Sequence, residues 1–250
     1  MNNPAPSARE KLYEGKAKIV YAGPEKGTVI QYFKDDATAF NAEKRGTVTQ
    51  KGIVNNIISC FLFGKLTDAG VKTHFIERLS AREQLNVAVE IVPIEVIVRN
   101  IATGSLVKKF GAIEGKEINP PMIDLTLKND AYGDPVISDE HVRVLGLASS
   151  QELQVLKDTA LRVNEILKAV YDEIGITLVD FKLEFGRGPD GVILADEISP
   201  DTCRLWDQET GKKLDKDRFR QDLGGVAEAY YEVGKRLGLW DDIQSGMSEE

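Results

Sequence analysis

The sequence predicts an α+β chain, with strands and helices in separate blocks. Three observations carry that expectation. Residues 179–185 alternate apolar and charged side chains, the period-two signature of a strand with one covered face. Leu153, Leu156, Ala160, Val163, Leu167, Val170 and Ile174 recur at spacings of three and four, the stripe of an amphipathic helix. Segments of high β propensity, 11–33 and 87–98, stand apart from the helical blocks.

Composition narrows the class. A chain of 250 residues that is 42% hydrophobic and 29% charged suits one large domain or two lobes of a soluble protein. A net charge of −8 disfavours nucleic acid as a partner, though it leaves room for a local basic pocket. Cys60 and Cys203 form no CxxC, so neither a disulfide framework nor a zinc cluster is expected, and a reducing, cytoplasmic compartment fits. MNNPAPSARE lacks an apolar core of a signal peptide, and no run is long and apolar enough for a membrane span.

In chain order, residues 1–10 read as a loose tail and 11–33 as strand, glycine, strand, turn, strand. Tyr13, Gly15, Ala17 and Ile19 share one parity while Lys16 and Lys18 share the other, so both ammonium groups leave on one face. Such a glycine turn with lysines either covers phosphates or is solvated; no GxxxxGK[ST] is present. Lys34 to Arg45 reads as a polar loop whose Asp35, Asp36, Thr38 and Asn41 either bind a ligand or form turns. Ile53, Ile57, Ile58, Phe61 and Leu62 predict a helix from about Gln50 to Ala69, capped by Gly70, with Cys60 in the core. His74 to Leu79 and Val87 to Val98 read as β. Pro93 inside the second run calls for an edge, a bulge or a connector, and the boundary between an N-terminal lobe, 1–92, and a C-terminal lobe, 93–250, is placed there. Ser105 after Gly104 either caps a helix or helps its N-terminus bind an anion. Residues 111–150 read as irregular. The helix over 152–174 ends at Gly175, and a last helix follows Asp215 and Arg218, which either reach a cleft or are solvated.

The stretch Gly175 to Arg204 bears most directly on function. Val179, Phe181, Leu183 and Phe185 share one face of a strand; Asp180, Lys182 and Glu184 share the other. GRGPDG then turns the chain into VILADEIS, carrying Asp196 and Glu197, so the segment predicts a hairpin with an apolar back and an acidic front. Clustered carboxylates repel, and such a front is either solvated or an oxygen-ligand site for Mg²⁺ bridging phosphates. Gly186, Gly188 and Gly191 match GxGxxG, but β-prone residues follow where a dinucleotide fingerprint needs a helix, so they read as the hairpin loop.

Together, LYEGKAKIVY, DDATAFN, KGIVNN, VIVRNIATGSLVKKFG, PPMIDLTLKND, LVDFKLEFG, ADEISPDTCRLWD and DKDRFRQDLGG, in that order over nearly the whole chain, resemble the phosphoribosylaminoimidazole-succinocarboxamide synthase (SAICAR synthetase) family, ATP-dependent ligases of purine biosynthesis. The resemblance implies two α+β lobes around a nucleotide cleft, related to the ATP-grasp and protein-kinase core. It implies the joining of L-aspartate to carboxyaminoimidazole ribotide through an acyl phosphate, with ATP and Mg²⁺, in an enzyme that is commonly a homo-oligomer, often a dimer. Carried onto this chain, Gly15, Lys16, Ala17 and Lys18 cover the ATP phosphates, the backbone around Ile91 reads the adenine, and Lys128 faces the nucleotide. Glu184 and Asp196 hold the metal; Arg99, Ser105, Asp201 and Arg204 hold the ribotide, with Arg218 a further substrate-binding candidate. Lys182 stabilises charge on the reacting carboxylate, and Asp180 is either a second metal ligand or the orienter of Lys182. The DDATAFN stretch closes on the ribotide, and Cys203 has no catalytic role. A kinase would carry HRD and DFG strings, which are absent, and a nucleotide-sensing module would not need the acidic front.

Overall fold

The computed structural model describes residues 9–39 and 43–249. Two antiparallel sheets and a small ribbon organise it. The first sheet is built from β1 (Lys11–Glu14), β2 (Lys18–Ala22), β3 (Thr28–Phe33), β6 (Phe75–Arg78) and β7 (Glu83–Val87), in the spatial order β1-β2-β3-β7-β6. The second runs β10-β9-β8-β11-β12, from β8 (Glu90–Ile101), β9 (Glu117–Leu127), β10 (Val136–Ile137), β11 (Ile176–Gly188) and β12 (Gly191–Ala195), with β13 (Cys203–Asp207) also paired to β11. The chain crosses between the sheets at Ala88 and Val89. A second link is the segment before β6, where His74 N–H donates to the Leu194 carbonyl (2.8 Å) and the His74 carbonyl accepts from Val87 N–H (2.7 Å).

The expected hairpin forms, with Glu184 opposite Ala195 and Gly188 opposite Gly191. Against β8, Phe181 faces Val98 and Leu183 faces Val96, so the apolar faces of both strands coincide. They bury against α4 (Ser150–Asp172), whose stripe Leu156, Ala160, Val163 and Leu167 is fully covered. Ser149 and Glu152 close a reciprocal capping box at its start. Pro93 lies where the β8–β11 register shifts between Glu184 and Gly186, a bulge that tolerates a residue without an N–H. The glycine decoy is explained by packing, since a Cβ on Gly186 would lie 2.3 Å from Val89 Cγ2.

Two expectations need correction. Lys34 to Arg45 is not simply a loop: β4 (Asp36–Ala39) pairs with β5 (Lys44–Thr47), while Asn41 lies outside the described residues. Nor is 111–150 irregular, because β9 occupies 117–127 and α3 (Asp139–Val144) follows β10. Pro120 and Pro121 hid β9. The strand accommodates them because β10 covers its outer edge only at Leu125 and Thr126.

Helix α1 (Lys51–Asp68) packs between the first sheet and the C-terminal helices α6 (Val226–Arg236) and α7 (Trp240–Ser248), which is why it is buried on nearly every face. Its start is held by Asp35, which accepts from Gln50 N–H and Gly52 N–H (both 2.9 Å) and pairs with Arg82 (2.7 Å). That carboxylate is therefore structural. A Cβ on Gly52 would sit 2.3 Å from the Phe33 carbonyl oxygen, a backbone atom that cannot step aside. Gly52→Ala is expected to cost about 3 kcal/mol through overpacking, read as a lower urea midpoint. An unchanged midpoint would refute this close approach.

Candidate active site

A cleft of about 950 Å³ opens between the two sheets and is lined from both. Of the site residues that the family resemblance implies, all but Arg218 lie on its wall. Strand β11 sets the order of the charges. Asp180, Lys182 and Glu184 project from alternate positions of its front, opposite Arg99, Ile97 and Glu95 of β8. Two residues of extended strand rise about 6.6 Å, so Asp180 and Glu184 mark points about 13 Å apart.

At the Glu184 end the charges are carboxylate and ammonium. Glu184 and Glu95 stand directly across the ladder, a repulsive pair by themselves. Lys182 Nζ bridges them, at 2.6 Å from Glu184 and 2.8 Å from Glu95, and half-exposed Lys128 reaches Glu184 at 2.9 Å. Burial works against charge on Lys182, but Glu184, Glu95 and Asp196 outweigh it and hold its pKa well above the usual lysine value. Above this group the first sheet lowers Lys18, whose ammonium pairs with Asp196 and with Glu197 (2.8 Å). Burial again opposes the charge, and the two carboxylates again raise the Lys18 pKa beyond its ordinary value. Asp196 itself has a left-handed backbone, φ 65°, a conformation that only glycine and short polar residues adopt readily. Lys16 pairs at the rim with Asp130 (2.6 Å).

At the Asp180 end the cations are guanidinium groups. Register places Arg99 of β8, Asp180 of β11 and Arg204 of β13 in one row across the sheet. Arg99 donates to Asp180 (3.1 Å), to Asp124 of β9 (2.7 Å) and to the Ser105 hydroxyl (2.9 Å). Arg204 donates to Asp180 (2.7 Å) and Asp217 (3.0 Å). Ser105 is thus not a helix cap: Gly104 holds that position before α2 (Ser105–Phe110), and a Cβ there would lie 2.7 Å from the Arg204 guanidinium. Asp180 is bound by two arginines, Arg99 and Arg204. Asp201 accepts from Lys51 (2.9 Å), Lys216 (3.4 Å) and the Tyr230 hydroxyl (2.6 Å). Burial alone would raise its carboxyl, but Lys216, Lys51 and Tyr230 hold it well below the carboxylate range.

Arg218 turns away. Its guanidinium donates to the carbonyls of Lys213, Leu223 and Gly224, closing a loop. Lys216 and Arg220, in the same DKDRFRQ segment, line the cleft instead. Sequence reading also missed Asp124, which accepts from Arg99, and Glu95 and the buried His74, Gln31 and Asn86 on the cleft wall. Register alone would have revealed Asp124 and Glu95. His74 is pushed down to about 3 by burial and so is neutral at working pH. Both buried cysteines are inert: burial drives the Cys60 thiol up to about 12 and the Cys203 thiol still further.

Among the described residues no group of three or more His, Cys, Asp or Glu side chains could hold a metal ion unaided. No helix among them is long and apolar enough to cross a membrane.

The chain matches the SAICAR synthetase family model over residues 11–237. It is 58% identical over 247 residues to phosphoribosylaminoimidazole-succinocarboxamide synthase of Novosphingobium aromaticivorans, covering 97% of this chain and 94% of that one. The crystal structure of the Ehrlichia chaffeensis synthase superposes with a TM-score of 0.90 at 49% identity, covering 92% of this chain and 99% of that one. A SAICAR synthetase solved in complex with ADP superposes at 0.87 with 45% identity, covering 90% and 96%. With its mixed α and β fold and charged cleft, the chain belongs to the SAICAR synthetase family of purine-biosynthetic ligases.

Proposed function

We propose that the cleft joins L-aspartate to carboxyaminoimidazole ribotide at the expense of ATP, by way of an acyl phosphate. One observation carries the reading: a single strand links a lysine-and-carboxylate end to a two-arginine end about 13 Å away, with Lys182 between them. The first end suits a triphosphate and the second a ribotide phosphate, which planar guanidinium groups grip in bidentate fashion. The two sheets are then two lobes around a nucleotide cleft, divided near residue 92, on the plan shared with ATP-grasp enzymes and protein kinases. The ADP-bound relative supports nucleotide binding here.

In this reading Gly15, Lys16, Ala17 and Lys18 cover the phosphates, the backbone beside Ile91 meets the adenine, and Lys128 faces the nucleotide. Glu184 lies within β11 and Asp196 directly follows β12, and each is neutralised by ammonium. A pair of carboxylates is the donor set for Mg²⁺, which keeps waters and takes phosphate oxygens for the rest. Bound there, Mg²⁺ would neutralise charge on the triphosphate. Arg99, Ser105 and Arg204 hold the ribotide, and Asp201 fixes Lys51 and Lys216 beside it. The ribotide carboxylate attacks the γ-phosphorus and ADP leaves. Lys182 offsets charge on that carboxylate while it is positioned for attack. The aspartate amine then adds to the acyl carbon, loses a proton, and phosphate departs with one former carboxylate oxygen. The enzyme is placed in the cytoplasm and as a homo-oligomer, such as a dimer.

The reading is tested by ADP release in a coupled assay and by ribotide labelled with ¹⁸O in its carboxylate. ADP should require both ribotide and aspartate for full rate, and ¹⁸O should appear in phosphate. ADP formed at an equal rate without either substrate, or unlabelled phosphate, would reject it.

A further inference from the structure

Three carboxamides form a directional relay through the first sheet and end on Asp196. Gln31 of β3 faces Gln84 of β7 across the ladder, and Asn86 lies two residues along the same face. All are buried. Gln84 Nε2 donates to Gln31 Oε1 (3.0 Å) and to Asn86 Oδ1 (3.2 Å); Asn86 Nδ2 donates to Gln31 Oε1 (3.1 Å). Gln31 Nε2 then donates to Asp196 Oδ1 (3.4 Å). Cys60 of α1 anchors the far end, its Sγ donating to Gln84 Oε1 (3.5 Å).

Chemistry fixes the direction. An ionised carboxylate has no hydrogen, so Gln31 must present its NH₂ to Asp196 and its oxygen to Gln84 and Asn86. A row of amides on a sheet face is costly unless satisfied, and this one is satisfied only in that sense. It also leaves the sheet: its last bond reaches Asp196, directly after β12 of the other sheet and held in the left-handed region. Among the described residues, Lys18 and Gln31 are the side-chain donors to Asp196, and both converge on Oδ1. Lys18 is assigned above to the triphosphate. Once its ammonium serves that anion, Gln31 is the donor that still fixes which carboxylate oxygen faces the nucleotide's cation.

We infer that Gln31, oriented by Gln84 and Asn86, is a positioning residue for Asp196, holding Oδ1 so that Oδ2 is turned to the metal–nucleotide; this rests on the reading of Asp196 given above. The test uses Gln31→Met and Gln84→Met, which keep bulk and remove donors. ATP binding is measured by calorimetry with Mg²⁺ and with EDTA, beside steady-state kinetics for all substrates. Gln31→Met should lower kcat/KM for ATP by about tenfold, the scale of a hydrogen bond to a charged group, and reduce the tightening of ATP binding by Mg²⁺. Its ATP affinity in EDTA and its KM for ribotide and aspartate should stay within about twofold of wild type. Gln84→Met, which never touches the cleft, should move the same parameters by about threefold, and the double variant should be no worse than Gln31→Met alone. Wild-type Mg²⁺ dependence and kcat/KM in Gln31→Met would overturn the inference. So would equal losses for every substrate together with a lower melting temperature, since that is the mark of a merely structural network. If the wild-type protein binds ATP no more tightly with Mg²⁺ than without, the metal reading itself falls.

Discussion

Glu184→Gln should lower kcat by about 10²- to 10³-fold, the scale seen when one preorganised electrostatic contact to the transition state is lost. The substitution keeps shape and one acceptor oxygen, turns the other oxygen into an NH₂ donor, and removes one charge. The fold should survive it. Lys182 retains Glu95 at 2.8 Å, and half-exposed Lys128 can be solvated, so no buried ammonium is left without a partner. The back of β11 is untouched, because Phe181, Leu183 and Phe185 make that packing. Steady-state turnover at saturating Mg²⁺, measured beside thermal unfolding, separates the two effects. Unchanged turnover would remove Glu184 from the nucleotide site.

Arg204→Ala should raise the KM for the ribotide by about 10²-fold and leave that for ATP within about threefold, as expected for loss of a bidentate phosphate contact. The row of alternating charges makes this a clean substitution. Asp180 keeps Arg99 (3.1 Å) and Asp217 keeps Arg220 (2.7 Å), so neither buried carboxylate is orphaned. Arg99→Ala would be less informative, since Asp124 depends on it. Initial-rate kinetics with each substrate varied in turn decide the matter; a larger effect on ATP than on the ribotide would mean the two ends of the cleft have been exchanged.

How far such a site can be read from a sequence depends on what the pattern reports. Alternation over 179–185 reports one buried face, and it located both the core side of β11 and the acidic front. The stripe of α4 was legible for the same reason, since a covered helix face repeats. Strand β9 was not, because prolines are judged by the rule for central strands while its outer edge is mostly unpaired. The β4–β5 ribbon was hidden by short, polar strands. The partners of the front charges depend on register, which no local pattern states: only the β8–β11 and β11–β13 alignments bring Arg99, Asp180 and Arg204 together. Arg218 shows the same limit. It lies two residues from Arg220 on the single turn of α5 (Asp217–Arg220), too short for periodicity to say which arginine faces inward. Its guanidinium instead satisfies three carbonyls of a loop. Asp35, which the sequence left open between ligand and turn, serves a helix start.

The acidic front of the hairpin is the proposed seat of the nucleotide's cation. A crystal grown with a non-hydrolysable ATP analogue and Mn²⁺, with anomalous data collected, measures that directly. The expected result is a peak bonded to Glu184 and Asp196 carboxylate oxygens and to the phosphates, with Lys18 turned onto the triphosphate. A peak bonded to neither carboxylate, or phosphates lying at the Arg99–Arg204 end, would contradict it.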